Sequence, residues 1–574
     1  MLKMEAIMFK HWSAILFVLI VLVLSFTVCT KEESSGFDIL IINGTIADGS
    51  GKAVFDGDVG INGDTIVEIG DLSGKKAART IDATGLIVSP GFIDIHTHCD
   101  EGFGRPGSNA NLNYLFQGVT TVRTGSCGSG TYKIAETKAE WEKVGMGTNA
   151  VLLVGNIPVR QAVMGEDLRE PTIEEMSKMQ EHIRQAMREG AWGISTGLEY
   201  GGYNKFIQTE EVIELTRAVS EFGGVYTSHI RDEAAKLVQA VEETIQIGEE
   251  TGVPVNVTHI KATGRNNWGL MKDAVKAINN ARARGIEVTA DQYPWVQGAP
   301  VGNMWSFLDI PLELETLSNL REKMWDRQLG DLKREQLTGQ YIDELIKTLK
   351  KRAKREIIKS FNLRKDPINP SPIVRWGWHD FTVMVSDKYP HFVRKNFVDI
   401  FEQLQADPFD TVVDWIIHEP DMLFASGSQS EEDMRHALIQ KWTMISSDGS
   451  AAAIKEETDK PRRGHPRDFA SQVRILRKYV RKEKLLTLED AIRKMTSAPA
   501  NFLKMKNRGL VAEGYKADIA IFDLNKIKDE ATYADSERYA SGVEYVIISG
   551  RLSLEAGKYC GALNGKVLLA IENK

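Results

Sequence analysis

The chain has 574 residues, a formal net charge of −8, and 42% hydrophobic and 26% charged residues. That length exceeds one small module, and the composition excludes a disordered chain. The acidic balance, with no Lys/Arg block interleaved with aromatics, speaks against nucleic acid as a partner, and four cysteines (Cys29, Cys99, Cys127, Cys560) are too few for a disulfide scaffold.

Residues 1–36 read differently from the rest. Lys3, Lys10 and His11 precede an apolar run from Ala14 to Val28, which falls short of the roughly 20 residues that span a bilayer. The run has the character of a secretory signal, so export to a periplasmic or other extracytoplasmic location is expected. Cys29 and the polar KEESSG follow at once. Three outcomes stay open: a lipidated Cys29 that tethers the protein to a membrane, a plain signal cut nearby, or an uncut anchor.

Residues 37–90 alternate in short runs (DILIING, DVGINGD, TIVEIG) around the hairpin signals Asn43-Gly44 and Asn62-Gly63. The C-terminal stretch 501–574 has the same texture in ADIAIFDL, VEYVIISG and KVLLAI. The two segments predict one small β-sandwich made from both ends of the chain. Between them, residues 91–500 alternate strands and helices. Candidate strands are 88–95, 119–124, 150–154, 191–196, 224–228, 254–258, 286–290 and 443–447. Thr172-x-x-Glu175 and Thr487-x-x-Asp490 open helices as capping boxes. Eight strands in a βα series predict an α/β fold built on a (β/α)8 barrel.

The stretch 300–440 does not fit one βα unit. Its charged helical pattern predicts an inserted helical subdomain after the seventh strand. The basic run 350–355 reads as a solvated helix face.

His96 and His98 end the run IVSPGFIDI. Residues i and i+2 of a strand point the same way, so both imidazoles can reach one ion. The same strand-end position recurs at Cys127 after VTTVRTGS, His229 after GGVYTS, His259 after VPVNVT, and Asp448 after TMISS. Barrel chemistry sits at the C-terminal ends of strands, and imidazole, thiolate and carboxylate are the groups zinc takes. Six such side chains exceed what one tetrahedral ion needs, which predicts two metal positions sharing a ligand.

HTH, SCG, STGLEY, SHIRDE, THIK, DQYPW and SSDG, at successive strand ends, together with GHPRDFASQVRILRKYVRKEKLLTLEDAIRKMTSAPANFL, resemble the amidohydrolase superfamily and, within it, the N-acyl-D-amino-acid deacylases or D-aminoacylases. Strand 4 (AWGISTGLEYGG) has no lysine to carbamylate, so the resemblance gives the bridging role to Cys127. It implies Cys127, His229 and His259 on a tightly held zinc. His96, His98 and Asp448 fall to a second, weaker position, with Asp448 also the general base. Tyr200, Lys261 and Tyr293 match substrate contacts, and either Arg463 or Arg467 is the partner of a substrate carboxylate. The implied reaction is hydrolysis of a small N-acyl-D-amino acid to a carboxylate and a free amino acid. Another amidohydrolase activity (dipeptidase, cyclic-amide hydrolase, deaminase) and a silent scaffold are the alternatives.

The remaining candidates have plainer readings. Cys99 and Cys560 are expected to pack, and His379, His391, His418 and His436 to lie at the surface or in local packing. His465 is a candidate for the pocket wall. Glu199 reads as a hydrogen-bonding residue at the barrel mouth or as a catalytic acid. Tyr293, Trp295 and Trp305 either wall an acyl pocket or anchor the insertion.

Overall fold

The computed structural model describes residues 36–200, 206–298, 300–303, 377–419, 422–425, 429–454, 465–533 and 535–573. The expected leader with Cys29, the basic run 350–355, Trp305 and Arg463 lie outside the described residues.

Eight strands, labelled β1 to β8, alternate with helices. They are β1 Phe92–Asp94, β2 Val119–Thr124, β3 Asn149–Leu152 continued by Val154–Gly155, β4 Gly193–Gly197, β5 Val225–His229, β6 Val255–Val257, β7 Val288–Gln292 and β8 Thr443–Ile445. Each pairs in parallel with the next. The ring closes between β8 and β1 through residues just past their ends. Thr97 bridges Gly449 in parallel register, and Asp448 N donates to His96 O at 2.9 Å. The fold is therefore a (β/α)8 barrel. Strands such as VTTVRT are buried at every position, as expected where helices cover a parallel sheet.

The helices start where local chemistry dictates. Thr172 and Glu175 form a reciprocal capping box at Ile173–Arg188, whose Met179, Ile183 and Met187 are buried. Thr487 accepts from Asp490 N at the start of Leu488–Met495.

The two chain ends form one nine-stranded sheet, joined where Ile87–Pro90 pairs antiparallel with Ile519–Phe522. Ile41, Val59, Ile81, Val88, Ile519 and Ile547 share one core, so the sheet curls on itself as a sandwich beside the barrel. The run 88–95, expected as one strand, is two: Ile87–Pro90 joins this sheet and Phe92–Asp94 opens the barrel. Pro90 has no N–H to continue a ladder, and Gly91 passes so near Thr120 that a Cβ there would lie 2.2 Å from it.

Two features of the C-terminal segment differ from expectation. Cys560 is exposed rather than packed, because it follows Lys558–Tyr559, the edge strand of the sheet. Residues 566–570 leave the sandwich and run beneath the barrel. Leu568 N donates to Ala150 O at 2.8 Å, and Trp192 Nε1 donates to Leu568 O at 2.6 Å. Leu568 and Ala570 share a core with Ile93, Val151, Trp192 and Val225, sealing the end of the barrel opposite the mouth.

The described part of the insertion carries a sheet as well as helices. Pro300–Asn303, Leu423–Ala425 and Thr382–Val385 form three antiparallel strands, over a separate aromatic core of Phe381, Phe397, Phe401, Trp415 and Phe424.

Candidate metal centre

Six of the residues nominated from the sequence converge at the barrel mouth. The Cys127 thiol lies 3.5 Å from His96 Nε2, 3.8 Å from His229 Nδ1 and 3.8 Å from His259 Nε2. Asp448 Oδ1 lies 3.4 Å from His96 Nε2 and 3.3 Å from His98 Nε2. These spacings can be tested against an ion. With zinc–sulfur bonds of about 2.3 Å and zinc–nitrogen or –oxygen bonds of about 2.0–2.1 Å, tetrahedral ligation puts S and N about 3.5 Å apart and N and O about 3.3 Å apart. Both groups fit, and Cys127 stands between them.

The backbone is strained where it presents these groups. Cys127, His259 and Asp448 have φ of 54°, 34° and 52°, a left-handed region that non-glycine residues seldom adopt. The turn around Cys127 is tight: a Cβ on Gly128 would lie 2.3 Å from Asn156 Oδ1.

Electrostatics favour the ligating forms. Burial opposes ionisation of the Cys127 thiol, but His96, His229 and His259 outweigh it and hold its pKa well below the usual value. Burial likewise opposes ionisation of Asp448, and Arg467, His259, His98 and His96 overcome it, holding the carboxyl well below the usual range.

Behind the donors sit carboxylates, two of which reach the rings within hydrogen-bond distance. Glu199 Oε2 accepts from His229 Nε2 at 2.7 Å, the hydrogen-bonding role that was one of its two readings. Glu233 Oε1 lies 2.8 Å from His259 Nδ1 and 2.5 Å from Lys261 Nζ. Asp291 accepts from His259 N at 2.9 Å and from Ser446 Oγ at 2.7 Å, and lies 3.6 Å from His96 Nδ1. Burial works against the Asp291 charge, but His96, His259 and Arg123 bring its pKa down to about 2. Glu233 and Asp291 were not nominated from the sequence. Both stand inside motifs that carry nominated residues (SHIRDE, DQYPW), and their polar character next to buried runs was the signal available.

The substrate candidates divide. The Tyr200 ring lies 4.4 Å from that of His229. Tyr293 is buried, with Lys261 Nζ 5.7 Å and Arg467 Cζ 5.5 Å from its ring. Lys261, expected to contact substrate, is engaged by Glu233. Arg467 Nη1 donates to Asp448 Oδ2 at 2.6 Å and borders a cavity of about 880 Å³ shared with His98, Ser129 and Ser450. His465 is buried; its Nδ1 accepts from Arg467 N and its Nε2 meets Gln297 O. Trp295 is buried and donates to Ser471 Oγ. Cys99 is buried, and that burial lifts its thiol to about 12, the packing role expected of it.

A closed parallel barrel with sulfur, imidazole and carboxylate donors clustered at its C-terminal mouth defines a metal-dependent hydrolase fold and site. Residues 79–351 and 458–553 match the amidohydrolase family, and the chain belongs to it. D-aminoacylase of Alcaligenes xylosoxydans xylosoxydans is 30% identical over 562 residues, which are 94% of this chain and 99% of that protein. A solved D-aminoacylase described as having a binuclear metal centre, with one-metal activation and second-metal attenuation, is 28% identical. It superposes with a TM-score of 0.72 over 93% of this chain and 100% of its own. The N-acyl-D-glutamate deacylase of Bordetella bronchiseptica, solved with zinc and a phosphonate mimic of the tetrahedral intermediate, is 26% identical. Its TM-score is 0.70 over 93% of this chain and 100% of its own. The protein is a metal-dependent hydrolase of amide bonds.

Proposed function

We propose that the enzyme hydrolyses N-acyl-D-amino acids to a carboxylate and a free D-amino acid, using zinc. The observation that carries this reading is the Cys127 thiol standing among His96, His229 and His259, on a barrel whose fourth strand offers no lysine. Cys127, His229 and His259 would hold the tighter ion, and His96, His98 and Asp448, with Cys127 shared, the weaker one. Zinc bound there would polarise the amide carbonyl and lower the pKa of water to about 7.

The chain's own groups supply the rest. Asp448 takes a proton as the water oxygen adds to the carbonyl carbon. It returns that proton to the amide nitrogen as the C–N bond breaks, because the nitrogen must gain a proton to leave. Arg467, on the cavity wall, meets the free α-carboxylate of the substrate, and Tyr293 packs beneath it. That carboxylate contact fixes which end of the substrate faces Asp448. The apolar run Ala14–Val28 further supports export, with Cys29 as a membrane tether.

The test is release of amino acid from N-acetyl-D- and N-acetyl-L-methionine, leucine and glutamate by zinc-reconstituted enzyme. Release from at least one D-substrate, well above its L-partner, is expected. Failure on every D-substrate with zinc bound would overturn the substrate assignment and leave the metal centre standing.

A further inference from the structure

His229 and His259 present different nitrogens to Cys127: Nδ1 from the first, Nε2 from the second. An imidazole has one nitrogen to give to a metal only if its proton sits on the other, and the group bonded to that other nitrogen decides which is which. For His259 the outward nitrogen is Nδ1, which lies 2.8 Å from Glu233 Oε1 and 2.8 Å from Lys261 Nζ, itself bound to Glu233. For His229 the outward nitrogen is Nε2, and it faces Glu199 at 2.7 Å, with both side chains about nine-tenths buried, at 7% and 11% exposure. The opposite presentation of the two rings thus goes with different outward partners: Glu199 for His229, and Glu233 with Lys261 for His259.

The loop after β4 is built to place that carboxylate. Leu198 N donates to His229 O at 2.9 Å, pinning the turn to the end of β5. Gly197 lies against Cys127, where a Cβ would come within 2.3 Å of Cys127 O. Glu199 Oε1 also accepts from Glu233 N at 3.4 Å, tying together the loops that carry the two carboxylates. The Tyr200 ring lies over His229 at 4.4 Å and limits its rotation.

We infer that Glu199 is a positioning residue that locks the His229 ring with Nδ1 turned to the ion beside Cys127, and so sets the affinity of that position. The inference rests on the metal-centre reading above. Carboxylates behind metal-binding histidines change affinity by about ten- to a hundred-fold when removed.

The experiment measures zinc affinity of the full-length protein by chelator competition, with the unfolding midpoint of the metal-free protein as a second readout. Variants are Glu199→Ala, Glu199→Gln and Cys127→Ser. Glu199→Ala is expected to weaken zinc binding about ten- to a hundred-fold with an unchanged metal-free midpoint. The glutamine carbonyl still accepts from Nε2–H, so Glu199→Gln is expected to recover most of the affinity. Cys127→Ser loses the thiolate and is expected to lose zinc. Wild-type affinity in Glu199→Ala, with zinc lost in Cys127→Ser, overturns the inference and spares the metal centre. Wild-type affinity in both overturns the two together. A fall in the metal-free midpoint that accounts for the lost affinity, with no rescue by glutamine, makes Glu199 a loop prop and also overturns the inference.

Discussion

Arg467 holds Asp448 by one oxygen and leaves the other to the histidines. Its guanidinium donates to Oδ2 at 2.6 Å, while Oδ1 faces His96 and His98. A proton acceptor works only when ionised. Without Arg467, burial would push the Asp448 carboxyl upward with less to oppose it. Arg467→Met is therefore expected to move the acid limb of kcat/KM to higher pH, and to raise KM if the arginine meets substrate. A pH–rate profile checks the first effect. An unmoved limb would show that the ion pair does not tune the base.

Asp448→Asn keeps the shape of the side chain and removes its ability to take a proton. The Cys127, His229 and His259 donors are untouched. Turnover is expected to fall about 10²- to 10⁴-fold, with the tighter zinc still bound. Steady-state kinetics paired with metal analysis separates this from loss of the centre, and near-normal turnover would remove Asp448 from the base role.

Lys494 is buried beneath β8, where its ammonium donates to Gln440 O and Thr443 O. Burial brings its pKa down from 10.5 to about 8 despite Asp490 nearby. At pH 7 it is charged in both the folded and the unfolded chain, so folding carries the full desolvation cost. Above about pH 8 the folded protein releases this proton, while the unfolded chain keeps it to about 10.4. The unfolded state then binds more protons, and stability gains with pH. Relative to Lys494→Met, the wild type is expected to gain up to about 3 kcal/mol between pH 7 and 10. Urea unfolding of both proteins at several pH values measures the difference, and parallel curves would count against the shift.

Leu568 is 1% exposed in the core below the barrel. Leu568→Ala is expected to cost about 2–5 kcal/mol without altering kcat per folded molecule, since it lies at the end opposite the mouth. Denaturant midpoints and zinc-loaded activity check the two halves. A variant as stable as the wild type would mean that this segment does not seal the barrel.

The strand-end groups were legible because each follows a buried run in its own strand: VTTVRT before Cys127, VYTS before His229, VNVT before His259. Period and local chemistry carry that information over a few residues. Of the groups that hold the donors, Glu199 and Arg467 were legible as site residues, but their partners, and the roles of Glu233 and Asp291, were not, because each reaches across from a different strand or helix. Glu233 meets His259, Asp291 nears His96, and Arg467 meets Asp448, and no spacing in the chain encodes those pairings. The barrel was legible from alternation. The break at Pro90-Gly91 carries its own turn signal, but IVSP and FIDI both read as strand, and only pairing partners show that these halves belong to different sheets. Residues 566–570 carried the texture of a strand and gave no sign of which layer they join.

Trp192 waits for Leu568, 376 residues downstream, and Ser89 waits for Ala520, 431 residues downstream. At a synthesis rate of about 5–20 residues per second, those partners emerge on the order of twenty to ninety seconds later. Local helices can form meanwhile, but neither the floor of the ring nor the joined-end sheet can. During that interval the nascent chain shows unpaired apolar strand edges, and its yield in a cell depends on whatever shields them from one another before translation finishes.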